Sequence, residues 1–399
     1  MNRSHKFLSA VLILPLVILV AAPVPAAGAA ELGDVFVIPL ENHNFTQPKP
    51  YTTSPEQLLG NPAAPFLNSL VTAGNANAKH TSYASNYHNV PGLHPSAPNY
   101  IWAEAGSNFG VKNDLPPFGR WGSNQNRLNL CGQLQKAGIS WKSYQEDTDI
   151  NTRNNTVLPR NQWTVPLNPR MGVFSHGVNA YNGSHFYFFE PKHDGQLYFT
   201  DTNGGDNPRT SNPEISHYAP LQQLFTDLAH HTVARYNWIT PDLFNEMHSF
   251  LPRFTYHGVV YTGDQAAIAE GDNFLSIVIP KIMASQAYRH NGVIVIWTDE
   301  TEGRNSDTPG HTMPEIIISP LAKGNAYNCK VKLTHSSDLK TWEELFGLPL
   351  LNGAGASGVN DLSDLFVHGA IPKHAPALGR KTHNRKSPIK TGSGQGTGR

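Results

Sequence analysis

The sequence predicts an α/β sheet protein, and three observations carry that reading. Short β-rich runs alternate with stretches of helical periodicity along the chain. Two of the β-rich runs, DVFVIPL and GVIVIWT, are almost wholly apolar, as buried strands are. Three strands lead directly into acidic or amide side chains: Glu41-Asn42, Asp242 and Asp299-Glu300.

Candidate strands are residues 34–40, 141–146, 234–240, 292–298 and 315–319. The helical stretches are 64–71, 97–105, a buried one over 128–138, and one marked by the spacing of Leu221, Leu224, Phe225 and Leu228. A further helix carries Phe274, Leu275, Val278, Ile282 and Met283, with a kink expected at Pro280. The last opens at Ser336 or Ser337, with Leu339, Trp342, Leu345 and Phe346 on one face. Residues from about 147 to 215 are rich in Asn, Gly and aromatics without clear periodicity, and read as a loop-rich insertion or cap.

The amino-terminal 30 residues have the anatomy of a secretory signal peptide. Arg3, His5 and Lys6 form a basic head, residues 7–20 an apolar run, and the small residues that follow offer cleavage after Ala26 or Ala29. The apolar run is short of the roughly 20 residues that span a bilayer. The expected product is secreted or periplasmic, with no stable membrane insertion after cleavage. Residues 31–377 form the expected folded domain and 378–399 a disordered basic tail.

Lys plus Arg and Asp plus Glu number 30 each, but they are unevenly spread. No acidic residue lies in 1–30 or after Asp364, and removing the nine basic residues of those segments leaves 21 basic against 30 acidic. An acidic body of this kind has no sign of nucleic-acid binding. Oligomeric state is not legible. Cys131 and Cys329 are too few for a cysteine-based metal site, and the sequence leaves open two buried thiols or one bridge.

In open α/β sheets ligands bind beyond the carboxyl ends of strands. Several carboxylates gathered there suit a hard divalent cation. The segment His94-Pro95-Ser96-Ala97-Pro98-Asn99-Tyr100 adds a serine at an expected helix start, where Ser96 reads as an N-cap and Pro98 fits the first turn. Free N–H groups at such a helix end attract an anion. A serine there attacks phosphorus once its hydroxyl is activated; without activation it is a capping residue.

The ordered segments ENHNF, HPSAPNY, ITPDLFNEMH, GDNFL, IVIWTDE and THSSDLKTWEELFGL, from about residue 33 to 350, resemble a bacterial phosphoesterase family. That family includes acid phosphatases and phosphocholine-preferring phospholipases C, within the alkaline phosphatase superfamily. The resemblance implies a mixed, largely parallel sheet between helical layers. It also implies one divalent metal ion (calcium, magnesium, manganese or zinc) held by Glu41, Asn42, Asp299 and Glu300. Ser96 falls at the nucleophile. His248, His335 and, by a looser match, His311 fall where histidines contact phosphate or protonate the leaving oxygen. His94 and Asn99 are candidate substrate contacts. Departures are Asn44 in place of the usual Ser, and Glu246 and Ser249 where the family carries Asp.

The expected activity is hydrolysis of phosphate monoesters through a phosphoserine, with phospholipid phosphodiesters as the alternative substrate class. A non-catalytic exported ligand-binding protein is the alternative of another kind. A fainter resemblance to sulfatases rests on Ser96-Ala97-Pro98, but Tyr100 stands where their Arg is required.

Overall fold

The computed structural model describes residues 30–49, 53–117, 124–151, 156–157, 189–205, 212–249, 253–304 and 306–372. The expected signal peptide, apart from Ala30, and the basic tail lie outside them. In chain order the strands are β1 (Val35–Leu40), β2 (Thr81–Ala84), β3 (Trp141–Gln145), β4 (Ile150–Asn151), β5 (Thr156–Val157), β6 (Tyr218–Pro220), β7 (Tyr236–Thr240), β8 (Phe254–Tyr256), β9 (Val259–Tyr261), β10 (Val293–Thr298), β11 (Glu315–Ile318) and β12 (Tyr327–Cys329). The α-helices are α1 (Pro65–Leu70), α2 (Ser96–Ala105), α3 (Leu130–Ala137), α4 (Leu221–His230), α5 (Asp264–Met283), α6 (Gln286–Arg289) and α7 (His335–Phe346).

Eight strands form one sheet in the order β12-β2-β11-β10-β1-β7-β3-β6. Every neighbouring pair in it is parallel except the two that involve β11. β1 and β10 are buried at every position, as central parallel strands covered on both faces must be. Alternate residues divide between two cores. Val35, Val37, Val293, Val295 and Trp297 face Leu130, Leu134, Leu339 and Trp342 from α3 and α7. Phe36, Ile38, Ile294 and Ile296 face Leu67, Leu275, Val278 and Ile282 from α1 and α5. The α/β reading and the sheet between helical layers are both realised.

Four strands end together at one edge, which is where the acids collect. Leu40 of β1 pairs with Thr298 of β10, so Glu41 and Asp299 leave the sheet side by side. Gln145 of β3 pairs with Thr240 of β7, which does the same for Glu146 and the loop that carries Asp242.

Several local expectations change. Ser96 is the first residue of α2 rather than its N-cap; Pro95 holds the cap position and offers no side-chain cap bond. α5 begins at Asp264, ahead of the apolar positions that announced it, and runs through Pro280 to Met283. α7 opens one residue early, at His335, because Thr334 and Ser337 form a capping box. Part of the expected insertion is buried structure: residues 193–199 pack against α2 and the sheet, with Ser143 Oγ and Gln145 Nε2 both donating to Asp194. Cys131 and Cys329 are buried free thiols. No described helix is long and apolar enough to cross a membrane.

Candidate active site at the carboxyl edge of the sheet

Ser96 Oγ donates to Glu41 Oε2 at 2.9 Å and lies 3.5 Å from Asn42 Oδ1. Its side chain is therefore spent on the acid edge and not on capping its own helix. The N–H of Asn42 donates to Asp299 Oδ1 at 3.1 Å, and Asn42 sits at φ 28°. That left-handed backbone is tolerated by Asn at small cost and turns both the amide and the carboxylate before it toward Ser96. Glu41, Asn42, Ser96 and Asp299, from three separate segments, thus meet around one hydroxyl.

The donor set fits a cation. As placed, Asn42 Oδ1 faces Asp299 Oδ1 at 2.7 Å and Glu41 Oε2 at 3.2 Å, and turning the amide over converts both into hydrogen bonds. Oxygens converge there from two carboxylates, an amide and a hydroxyl. Only a donor N–H or a bound cation resolves such a cluster. Burial pushes the Glu41 carboxyl up to about 7 and the Asp299 carboxyl well above its ordinary range. Close positive charge is what would let them ionise.

Glu300, the fourth expected ligand, points its Oε2 to His94 Nδ1 at 2.7 Å and Asn99 Nδ2 at 3.0 Å. The Glu300 contact, more than burial opposes it, raises His94 to about 9, so this imidazole is cationic at neutral pH beside Ser96. Asp307 Oδ1 holds the other ring nitrogen at 3.0 Å. Asn99 Nδ2 also donates to the carbonyls of Leu93 and Pro95. Its geometry positions Glu300 and the turn before Ser96.

The three expected catalytic histidines are in different situations. His335 is wholly enclosed: Nδ1 meets Tyr87 Oη at 2.8 Å and Nε2 the Asp299 carbonyl at 2.5 Å, and burial drops it to about 4. It is a neutral brace behind Asp299. His248 keeps 42 % of its side chain exposed and stands 3.7 Å from Glu302 Oε2. His311 bonds Thr308 through Nδ1 at 2.9 Å, in the segment that supplies Asp307 to His94. His43 is buried and paired with Asp264 Oδ2 at 3.2 Å, tying the Glu41-Asn42 loop to the start of α5.

Sequence reading missed His193, Tyr100, Lys192 and Asp114, and met Glu246 only as a departure from a pattern. His193 is buried between two glutamates, Nε2 3.3 Å from Glu41 Oε1 and Nδ1 3.0 Å from Glu246 Oε2. Burial holds its pKa well below the usual range, so it is neutral. Glu41, His193 and Glu246 each bring a ligand atom within 4.8 Å of the others, a group that could hold a metal ion. Tyr100 Oη donates to Glu41 Oε1 at 2.6 Å, and its ring stacks on His193. Burial opposes the charge on Lys192, but Glu41 and Asp114 raise its pKa. Asp114 Oδ2 accepts from Lys192 Nζ at 3.0 Å and Asp114 Oδ1 from the N–H of Ala97 at 3.0 Å. The α2 start is thus covered by a carboxylate, not open as expected. The spacing of Pro191-Lys192-His193 gave no signal, because that segment lacks periodicity and the chain has 19 histidines.

A family model described as the Phosphoesterase family matches residues 41–349, and the chain belongs to that family. It is accordingly a phosphoric ester hydrolase. A phosphatidylinositol-3-phosphatase of Mycobacterium tuberculosis is 24% identical over 293 residues, covering 73% of this chain and 73% of that protein. Among solved structures, the phosphonate monoester hydrolase of Agrobacterium radiobacter is similar with a TM-score of 0.45, 14% identity, and coverage of 86% of this chain and 78% of that chain. A protein in the alkaline phosphatase superfamily from Vibrio parahaemolyticus is similar with a TM-score of 0.43, 10% identity, and coverage of 82% and 70% respectively.

Proposed function

We propose that the chain hydrolyses phosphate monoesters in two steps, with Ser96 as the nucleophile. The observation that carries this is the Ser96 hydroxyl, buried, 2.9 Å from Glu41 Oε2 and ringed by Asn42 and Asp299 at the first residue of α2. A divalent cation held by Glu41, Asn42, Asp299 and Glu300 would supply Lewis-acid activation of the hydroxyl and of the phosphoryl oxygens.

Glu41 Oε2 already accepts the Ser96 hydrogen bond, so the proton has an acceptor as the oxygen–phosphorus bond forms. His94, cationic, and Lys192 place positive charge beside Ser96 for the phosphoryl oxygens. A phosphoryl group that uses the N–H of Ala97 must displace the Asp114 carboxylate that holds it. His248, the most exposed of the expected catalytic histidines, would give a proton to the departing alcohol, whereas His335 has both nitrogens occupied. Water then hydrolyses the phosphoserine. Preorganised charge and position supply most of the rate enhancement in phosphoryl transfer.

The relative described as a phosphatidylinositol-3-phosphatase favours monoester chemistry over attack on a lipid diester. Export, proposed from the basic head and apolar run of residues 1–30, places the reaction outside the cytoplasm. The test is a panel of phosphomonoesters, phosphodiesters and phosphatidylcholine, each assayed with calcium, magnesium, manganese or zinc and after chelation. Metal-restored turnover of monoesters is expected. Equal rates after chelation, or a strong preference for phosphatidylcholine, would contradict the proposal.

A further inference from the structure

The register that sets Glu41 beside Asp299 recurs one strand pair away. β3 and β7 leave the sheet together and deliver Glu146 and Asp242 to the same edge. Glu146, Asp147 and Asp242 are buried, and each puts a carboxylate oxygen within 4.8 Å of the others. Asp149, 3% exposed, follows in the same turn, outside that group of three but close enough for its charge to act on Glu146.

Donors at this cluster are unevenly shared. Glu146 accepts from Asn245 Nδ2 and from the N–H of Asp242, each at 2.9 Å. Asp242 Oδ1 accepts the N–H groups of Phe244 and Asn245, both at 2.9 Å. Asp242 Oδ2 has no donor although the side chain is fully enclosed. The Asp147 carboxyl lies against Asp242, and Asp147 is held there at φ 60°. Asp149 Oδ1 also lacks a donor. Two carboxylates turned toward each other in a closed space need either a proton or a cation between them.

We propose that Glu146, Asp147 and Asp242 form a second, structural site for a hard divalent cation of the calcium class, clamping the turn after β3 to the loop after β7. An all-oxygen, carboxylate-rich donor set suits calcium better than zinc. The clamped loop continues to Glu246, which faces His193 beside Glu41. The ion therefore steadies a carboxylate of the catalytic cluster from outside it.

Calcium content and thermal unfolding of the Asp299→Asn protein separate this site from the catalytic one. Stripped with chelator and dialysed against calcium, that variant is expected to hold one equivalent and to unfold a few degrees higher with calcium than without. Adding Glu146→Gln, or Asp147→Asn should the first not fold, is expected to abolish both the equivalent and the thermal shift. An Asp299→Asn protein that takes up no calcium and shows no shift would overturn the site and leave a proton shared between Asp147 and Asp242. Calcium retained undiminished by the double variants would also overturn it, by placing the ion elsewhere.

Discussion

Replacing Tyr100 by Phe deletes a single buried oxygen from the site and leaves its surroundings packed. Tyr100 Oη donates to Glu41 Oε1 at 2.6 Å. The ring stacks on His193 at 5.3 Å and meets Trp238 and Trp297 at 6.4 and 6.1 Å, contacts that Phe keeps. Glu41 retains Ser96 as a donor on Oε2 but loses the donor that favours its charged form on Oε1. A hydrogen bond to a charged group contributes about 1.5–3 kcal/mol. At 1.4 kcal/mol per factor of ten, a cation held by Glu41 should bind roughly 10- to 100-fold more weakly. The assay is turnover of a phosphomonoester against metal concentration, with thermal unfolding recorded alongside. The activation midpoint should move to higher metal, and saturating metal should restore most of the rate. An unchanged midpoint, with only the melting temperature lowered, would show that Tyr100 supports the fold and does not tune a metal ligand.

Three further outcomes follow from the same geometry. Asp299→Asn should lower metal content and turnover together, read by elemental analysis and by assay; full metal occupancy with normal turnover would misplace the ligand set. Burial raises the Glu104 carboxyl from 4.5 to about 7, so the folded chain keeps a proton that the unfolded chain releases as pH climbs from about 4.5. The Glu104 contribution to stability should therefore fall with pH across about 4.5–7 and level off above, by up to about 3 kcal/mol; Glu104→Gln should make the slope shallower by that amount in denaturant titrations, and equal slopes would contradict the assignment. Amino-terminal sequencing of exported protein should find a start between residues 27 and 31, and an intact Met1 would contradict cleavage.

The strands that carry the site were legible because burial on both faces leaves them continuous in apolar residues: VFVIPL and VIVIWT admit few other readings. Their register then explains why Glu41 and Asp299, far apart in sequence, stand together. The edge strands β6 (YAP) and β12 (YNC), and β2 (TSYA) next to β12, are short and mixed in polarity, and local pattern does not announce them. Ser96 was found, but its local role was not, since one residue separates an N-cap from the first helical position. His335 is another case: its place in the motif was clear, while its enclosure by Tyr87 and the Asp299 carbonyl is a tertiary fact. His193 and Lys192 come from an aperiodic segment held by contacts with α2, the sheet and Asp114. No spacing rule reaches them.

The central claim is that Ser96 becomes covalently phosphorylated. It is tested most directly by quenching the wild-type reaction in acid with a labelled phosphomonoester and mapping the modified peptide, with Ser96→Ala run beside it. We expect phosphate on the peptide that contains Ser96 and no turnover by a folded alanine variant. Because Ser96 does not cap its helix, the substitution removes the hydrogen bond to Glu41 and the longer contact to Asn42, and should cost about 1–3 kcal/mol of stability. Substantial hydrolysis by Ser96→Ala, with no phosphoserine trapped in the wild type, would contradict the account and point to direct attack by water.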